Sequence, residues 1–386
     1  MKRLLLLLLL FILCCDCSEF QGGVMTYHHR KTLQNGSVEM EIRHKTIFKS
    51  CTVAHFSCPS EGCVTLSYTD TLIDNATGNF CQIESVWTLR ALSNAPFVLS
   101  PTVNEVIDVS FSALVDLRNR SDTGRPNNSP QATVPPIIRV PWNCPRYEYL
   151  ATSDLDGDSV QCRFTVKNMN PPECEQCTTP SVIDYISYLC SFYVPSSSSN
   201  SSQGLYAVQM VLEDNSWTRI VLTQTDGTQE VKNIGQSLSK IPVQFLLSVE
   251  AAVPSCSLGD YLPEFVSSTP PKGAVLYVQV NEILHINITA QASNSTISAL
   301  LFSGPSRMTK SGSGGQYVLS WSPVESEEEQ THPVCFSVQA LYKVSSLFKS
   351  EGEHPEHSEN CQYTNWAFLE VMELGIRASW PIYSLS

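Results

Sequence analysis

The stretch Ala151-Thr152-Ser153-Asp154-Leu155-Asp156-Gly157-Asp158-Ser159-Val160-Gln161-Cys162-Arg163-Phe164-Thr165-Val166 decides the fold. Its first half gathers three aspartates around Gly157, the composition of a tight turn. There glycine supplies a positive φ and aspartate oxygens accept nearby backbone N–H groups. Its second half alternates. Val160, Cys162, Phe164 and Val166 take one side, and Gln161, Arg163 and Thr165 take the other. A period of two belongs to a strand with one face on a core.

The same alternation recurs in both directions along the chain. Val38, Met40 and Ile42 alternate with Glu39, Glu41 and Arg43. Tyr206, Val208, Met210 and Leu212 form another row, as do Val243, Phe245, Leu247 and Val249, and then Tyr317, Leu319 and Trp321. Helical periodicity is almost absent. Short alternating runs between Gly, Pro, Asn and Ser clusters predict an all-β chain of antiparallel sandwiches.

The N-terminus sets the chemistry open to these strands. Lys2 and Arg3 precede an apolar run from Leu4 to Leu13, too short to span a bilayer and followed by small polar residues. This is the pattern of a secretory signal peptide over residues 1–17, which predicts a secreted, extracellular chain. No later run has membrane length, so no transmembrane segment is expected. In an oxidising compartment cysteines act as staples and Asn-x-Ser/Thr sites as glycan acceptors.

Of 15 cysteines, three lie in the leader. The other twelve are Cys51, Cys58, Cys63, Cys81, Cys144, Cys162, Cys174, Cys177, Cys190, Cys256, Cys335 and Cys361. Twelve is even, which predicts six disulfides. They fall four, five and three to a region, so two odd groups in succession predict a bridge between the second and third regions. Removing residues 1–17 takes away Lys2, Arg3 and Asp16 and leaves 22 basic against 36 acidic residues, a net charge of −14. That sign disfavours nucleic acid and anionic membranes as partners.

Boundaries follow composition. Residues 18–118 read as a cysteine-rich β module, 119–133 as a linker without apolar pattern, and 134–251 as a sandwich carrying the aspartate turn. Residues 252–345 read as a second sandwich and 346–386 as a tail of uncertain structure. Sequons stand at Asn35, Asn75, Asn119, Asn127, Asn200, Asn287 and Asn294. Asn35-Gly36 suits a hairpin turn, and Asn287 points away from the apolar face of its strand.

The aspartate segment resembles the A-x-D-x-DGD-x-V/L segment of cadherin-like and related extracellular immunoglobulin-like repeats. Thr269-Pro270-Pro271, Asn281 to Ile286, and Trp321-Ser322-Pro323 are similar, in that order, to immunoglobulin-like repeats with a W-x-P element before the last strands. The layout of Gly22-Gly23, residues 115–124, Asn143 to Arg146, Asp154 to Arg163 and Glu173 to Cys177 also resembles a group of uncharacterised secreted chordate proteins. The resemblance implies an N-terminal cysteine-rich β module followed by two tandem cadherin-like/Ig-like sandwiches, disulfide-stapled. It implies no activity.

Candidate chemistry divides into sharp and bland readings. Asp154, Asp156 and Asp158 could supply part of the six to eight oxygens that calcium takes at ~2.3–2.6 Å; alternatively they only shape a turn. Calcium is the one cofactor left open. Cys174 and Cys177 could be a redox pair, half a zinc site or structural cysteines, and the prolines around them favour the last. His28-His29 reads as solvent-facing, and His332, His354 and His357 as unfit for a fixed metal geometry. Ser311-Gly312-Ser313-Gly314-Gly315 reads as a hairpin connection. There is no G-x-S-x-G elbow and no H-E-x-x-H pair, so catalysis is not expected.

The expected function is extracellular recognition: adhesion, matrix association or receptor-ligand binding, with an extracellular protein or glycan as partner and homophilic association open. The alternative is a soluble host-defence or regulatory factor that binds carbohydrate or a secreted protein through the N-terminal module.

Overall fold

The computed structural model describes residues 20–48, 63–74, 80–99, 112–169, 173–174, 177, 179–186, 190–198, 200–328, 330–342 and 366–379, the last as backbone. Every element longer than three residues among them is a strand. The largest sheet has ten strands, and its main path runs Ser159–Phe164, Gly204–Asn215, Ser237–Glu250, Phe20–Thr32, Val38–Phe48, Cys81–Ala91, Cys63–Asp74. The alternating rows build it. Met40 and Ile42, Val208 and Met210, and Val243 and Phe245 are all buried in one core. A three-stranded sheet, with Arg146–Tyr149 and Ser191–Val194 paired, covers that core, and Phe192 stacks on Phe245 at 5.7 Å.

The boundary expected at 119–133 does not divide this sheet. Phe20–Thr32 pairs directly with Ser237–Glu250, with Val24 opposite Val243, so strands from both sides of that boundary share one core. Gly22 and Gly23 permit the close approach. A Cβ at Gly22 (φ 148°) would meet the Gln244 carbonyl, and one at Gly23 the Lys45 carbonyl. The expected linker itself contributes the strands Asn119–Arg120 and Pro130–Thr133. Its lack of an apolar pattern has a physical cause. Arg120, Asn127 and Ser129, polar residues that it buries, are held by hydrogen bonds.

The last third forms a sandwich of two four-stranded sheets. One runs Glu264–Phe265, Leu284–Gln291, Gln316–Trp321, Thr309–Ser313, and the other Ala274–Gln279, Trp366–Ser379, Thr331–Tyr342, Thr296–Ser303. Ile286, Leu319 and Trp321 from the first meet Phe302, Phe336 and Val338 from the second. The expected tail is corrected here. Trp366–Ser379 lies between Thr331–Tyr342, antiparallel, and Ala274–Gln279, parallel. Its apolar run lacks clean alternation, which hid it from a test for period two.

This sandwich also packs against the large sheet. Gln82 Nε2 donates to Ser303 Oγ (3.1 Å), Thr133 Oγ1 to the same hydroxyl (2.6 Å), and Lys310 Nζ lies 2.8 Å from Asp74 Oδ1. Ile47, Phe80 and Leu301 share a small apolar cluster. The Cys144–Cys256 disulfide joins the second and third regions. Beside it Asn143 donates to the Val253 carbonyl and accepts from its N–H.

Candidate functional site

The aspartate turn folds as its composition dictates. Asp154 ends the strand Ala151–Asp154, Gly157 takes φ 81°, and Asp154 Oδ1 accepts the N–H groups of Asp156 (2.8 Å) and Asp158 (3.1 Å). One carboxylate oxygen from each aspartate lies within 4.8 Å of the others. The residues that complete the site come from the expected linker. The Arg120 guanidinium, with 1% of its side chain exposed, grips Asp158 with both Nη atoms and Asp122 through Nε (3.0 Å) and Nη2 (2.7 Å). It also donates to Asn127 Oδ1 (2.7 Å) and stands 3.5 Å from Asp156 Oδ2. The positive charge facing the turn is therefore the protein's own.

Behind Arg120 the network goes deeper. Asn127 Nδ2 donates to Asp214 Oδ2 (2.6 Å), whose Oδ1 accepts Ser239 N–H (2.6 Å) and hydroxyl (2.8 Å). Asn128 closes the other side by donating twice to Asp156. Asp154 Oδ2 is buried with no hydrogen-bond partner among the described residues. Three carboxylates, those of Asp122, Asp156 and Asp158, thus face one guanidinium. Burial pushes Asp214 up to about 7, against the hydrogen bonds of Asn127 and Ser239. Burial and the charges of Asp214, Asp156 and Asp158 hold Asp154 well above the usual carboxylate range.

Sequon Asn127 is corrected by the same geometry. Its side chain is fully buried and its amide nitrogen is committed to Asp214 and the Asn128 carbonyl, so this fold leaves no room for a glycan there. Asn35, Asn119, Asn287 and Asn294 are exposed. Asn75 and the Asn200 side chain lie outside the described residues.

Cys162–Cys190 and Cys174–Cys177 are disulfides, the second a local loop. Cys81 is also bridged. Cys335 is buried, with Sγ 4.0 Å from Thr133 Oγ1. Cys51, Cys58, Cys361 and the Cys63 side chain lie outside the described residues, as do His354 and His357. His28, expected in solvent, is buried with Nε2 3.4 Å from Glu41. Ser313 pairs with Gln316 across the expected hairpin.

A second feature escaped the sequence altogether. In Arg146–Tyr149 the usual pattern is inverted: Glu148 is buried and bonded by Arg146 Nε (2.9 Å), whereas Tyr147 and Tyr149 are 54% and 42% exposed. Tyr193 pairs with Tyr147 in register, with ring centroids 4.5 Å apart, and Lys272 Nζ sits 3.8 Å from the centre of the Tyr149 ring. Burial raises the Glu148 carboxyl above its ordinary range despite Arg146. The available signal was the R-Y-E-Y order, in which an alternating strand turns its aromatics outward.

No family model matches the chain, and no curated protein does. Among solved structures it is similar to titin domains Z1Z2 in complex with telethonin, at 12% identity over 66% of this chain and 98% of that one, with a TM-score of 0.19. It is similar to the human desmocollin-1 ectodomain at 12% identity, over 83% and 56% of the two chains, with a TM-score of 0.19. An endo-fucoidan hydrolase of glycoside hydrolase family 107 stands at 11% identity, over 89% and 42%, with a TM-score of 0.21. At such scores no argument about function follows. The all-β class rests on the strands and sheets themselves.

Proposed function

We propose that the chain is a secreted recognition protein whose contact surface is the tyrosine face of Arg146–Tyr149 and Tyr193. The inverted alternation carries this reading. Exposed aromatic rings beside a cation are the composition of protein interface centres, because they give large contact area at low cost in side-chain entropy. Glu148 and Arg146 fix the strand beneath, so the rings stand on a rigid support. The leader at 1–17 and the disulfides support an extracellular setting.

In this reading the aspartate turn is a locked corner of the scaffold, with Arg120 in the role that calcium would otherwise fill. The partner is an extracellular protein, a second copy of the chain among them. Binding of the multivalent chain to an array of extracellular proteins, including itself, tests the proposal. Selective binding that falls at least tenfold in Tyr147→Ser/Tyr149→Ser is expected. Binding that the double substitution leaves unchanged contradicts it.

A further inference from the structure

A cavity of about 320 Å³ opens between Trp142, the residues Val194 to Ser197 with Ser201 and Ser202, and the strands Gly204–Asn215 and Ser237–Glu250. Its volume is at the lower end of the range for small-ligand sites, roughly 300–1,000 Å³. It lies on the other side of Ser191–Val194 from the tyrosine face: Tyr193 joins Tyr147 outside, whereas Val194 is buried in the core. The site therefore does not rest on that reading.

The lining has a definite chemistry. Among the described residues no charged side chain contributes to it. Two aromatic rings, Trp142 and Tyr206, share the walls with Val182, Val194, Val249 and a set of serines. The geometry of the mouth is fixed. Ser197 N–H donates to the Trp142 carbonyl (2.7 Å), and Tyr206 Oη donates to the Ser202 carbonyl (2.8 Å). The Ser202 hydroxyl is buried and has no hydrogen-bond partner among the described residues.

We propose that this cavity binds a single neutral saccharide ring. Three features of the lining select that class. The absence of charge disfavours ions, whose desolvation nothing would offset. Flat aromatic walls suit the C–H face of a pyranose, and serine hydroxyls suit its O–H edge. An anionic sugar would find no cation in the lining.

The test uses the whole secreted chain after enzymatic removal of N-linked glycans, since Asn200-Ser201-Ser202 is itself a sequon at the rim. Saturation-transfer NMR is run with glucose, galactose, mannose, N-acetylglucosamine and their disaccharides, with sialic acid as the charged comparison. Two variants accompany it. Trp142→Ala removes a wall, and Ser196→Trp places a large ring at an exposed rim position without touching the core or the sequon. The expected result is transfer to at least one neutral sugar, none to sialic acid, and at least a tenfold loss in both variants. Transfer to no neutral sugar, preference for sialic acid, or full binding by a folded Ser196→Trp protein overturns the proposal.

Discussion

Arg120 ties the strand Asn119–Arg120 to the aspartate turn. It is a nearly fully buried cation in contact with Asp122, Asp156, Asp158 and Asn127. Removing one partner of a buried ion pair typically costs about 3–5 kcal/mol, because the other charges are left uncompensated. Arg120→Ala is therefore expected to lose about that much in denaturant unfolding, and Arg120→Lys to recover only part of it, since an ammonium cannot grip two carboxylates bidentately. A loss below about 1 kcal/mol would remove the locked-corner reading. The aspartates were legible in the sequence because they adjoin one another. Arg120, Asn127 and Asp214 were not, because long-range hydrogen bonding leaves no periodic signal.

The buried titrating groups give stability opposed slopes with pH. Burial lowers His28 and His44 to about 3, from 6.5 when exposed. Between those values the unfolded chain takes up protons that the folded one refuses, so their contribution is lost as pH falls from about 6.5. Asp214 has the reverse sign. Its folded value of about 7 exceeds 3.8, so the folded chain holds an extra proton in that window and gains as pH falls through it. Asp214→Asn should therefore fare better relative to the parent at pH 8 than at pH 4 in urea unfolding. A difference that does not change with pH would contradict the buried, proton-holding state of Asp214.

Among elements, strands whose sequence alternates were legible and the others were not. Val38–Phe48, Gly204–Asn215 and Ser237–Glu250 announce themselves by alternation. Trp366–Ser379 does not, since it sits between two neighbours and carries apolar residues in succession. The disulfides differ in how much chain they tie together. Cys144–Cys256 spans 112 positions and Cys174–Cys177 only three. By loop-closure entropy, serine substitution of both cysteines should cost about 5 kcal/mol for the first pair and about 1–2 kcal/mol for the second. Equal losses in reversible unfolding would show that the long loop is already restricted in the unfolded chain.

At the scale of the whole molecule, the sequence showed recurring β modules but not how they share strands. Alternation reports which face of a strand is buried, and it is silent about which strand lies alongside. The pairing of Val24 with Val243 and the contacts from Asp74 and Gln82 to the last sandwich are therefore features of the fold alone. They predict that a chain ending at residue 345 loses the strand between Ala274–Gln279 and Thr331–Tyr342, and with it the sandwich. Hydrogen exchange should show Leu284–Gln291 and Gln316–Trp321 unprotected in that truncation. Retained protection there would make the last strand dispensable.

The outward tyrosines of the strand Arg146–Tyr149 are the proposed surface by which this chain meets its partners. Array binding by the multivalent chain tests it, in parent and Tyr147→Ser/Tyr149→Ser forms shown by circular dichroism to be equally folded. The expected result is a small set of bound extracellular proteins for which the double variant loses binding at least tenfold. An unchanged set of bound proteins in the folded variant would place recognition elsewhere on the molecule.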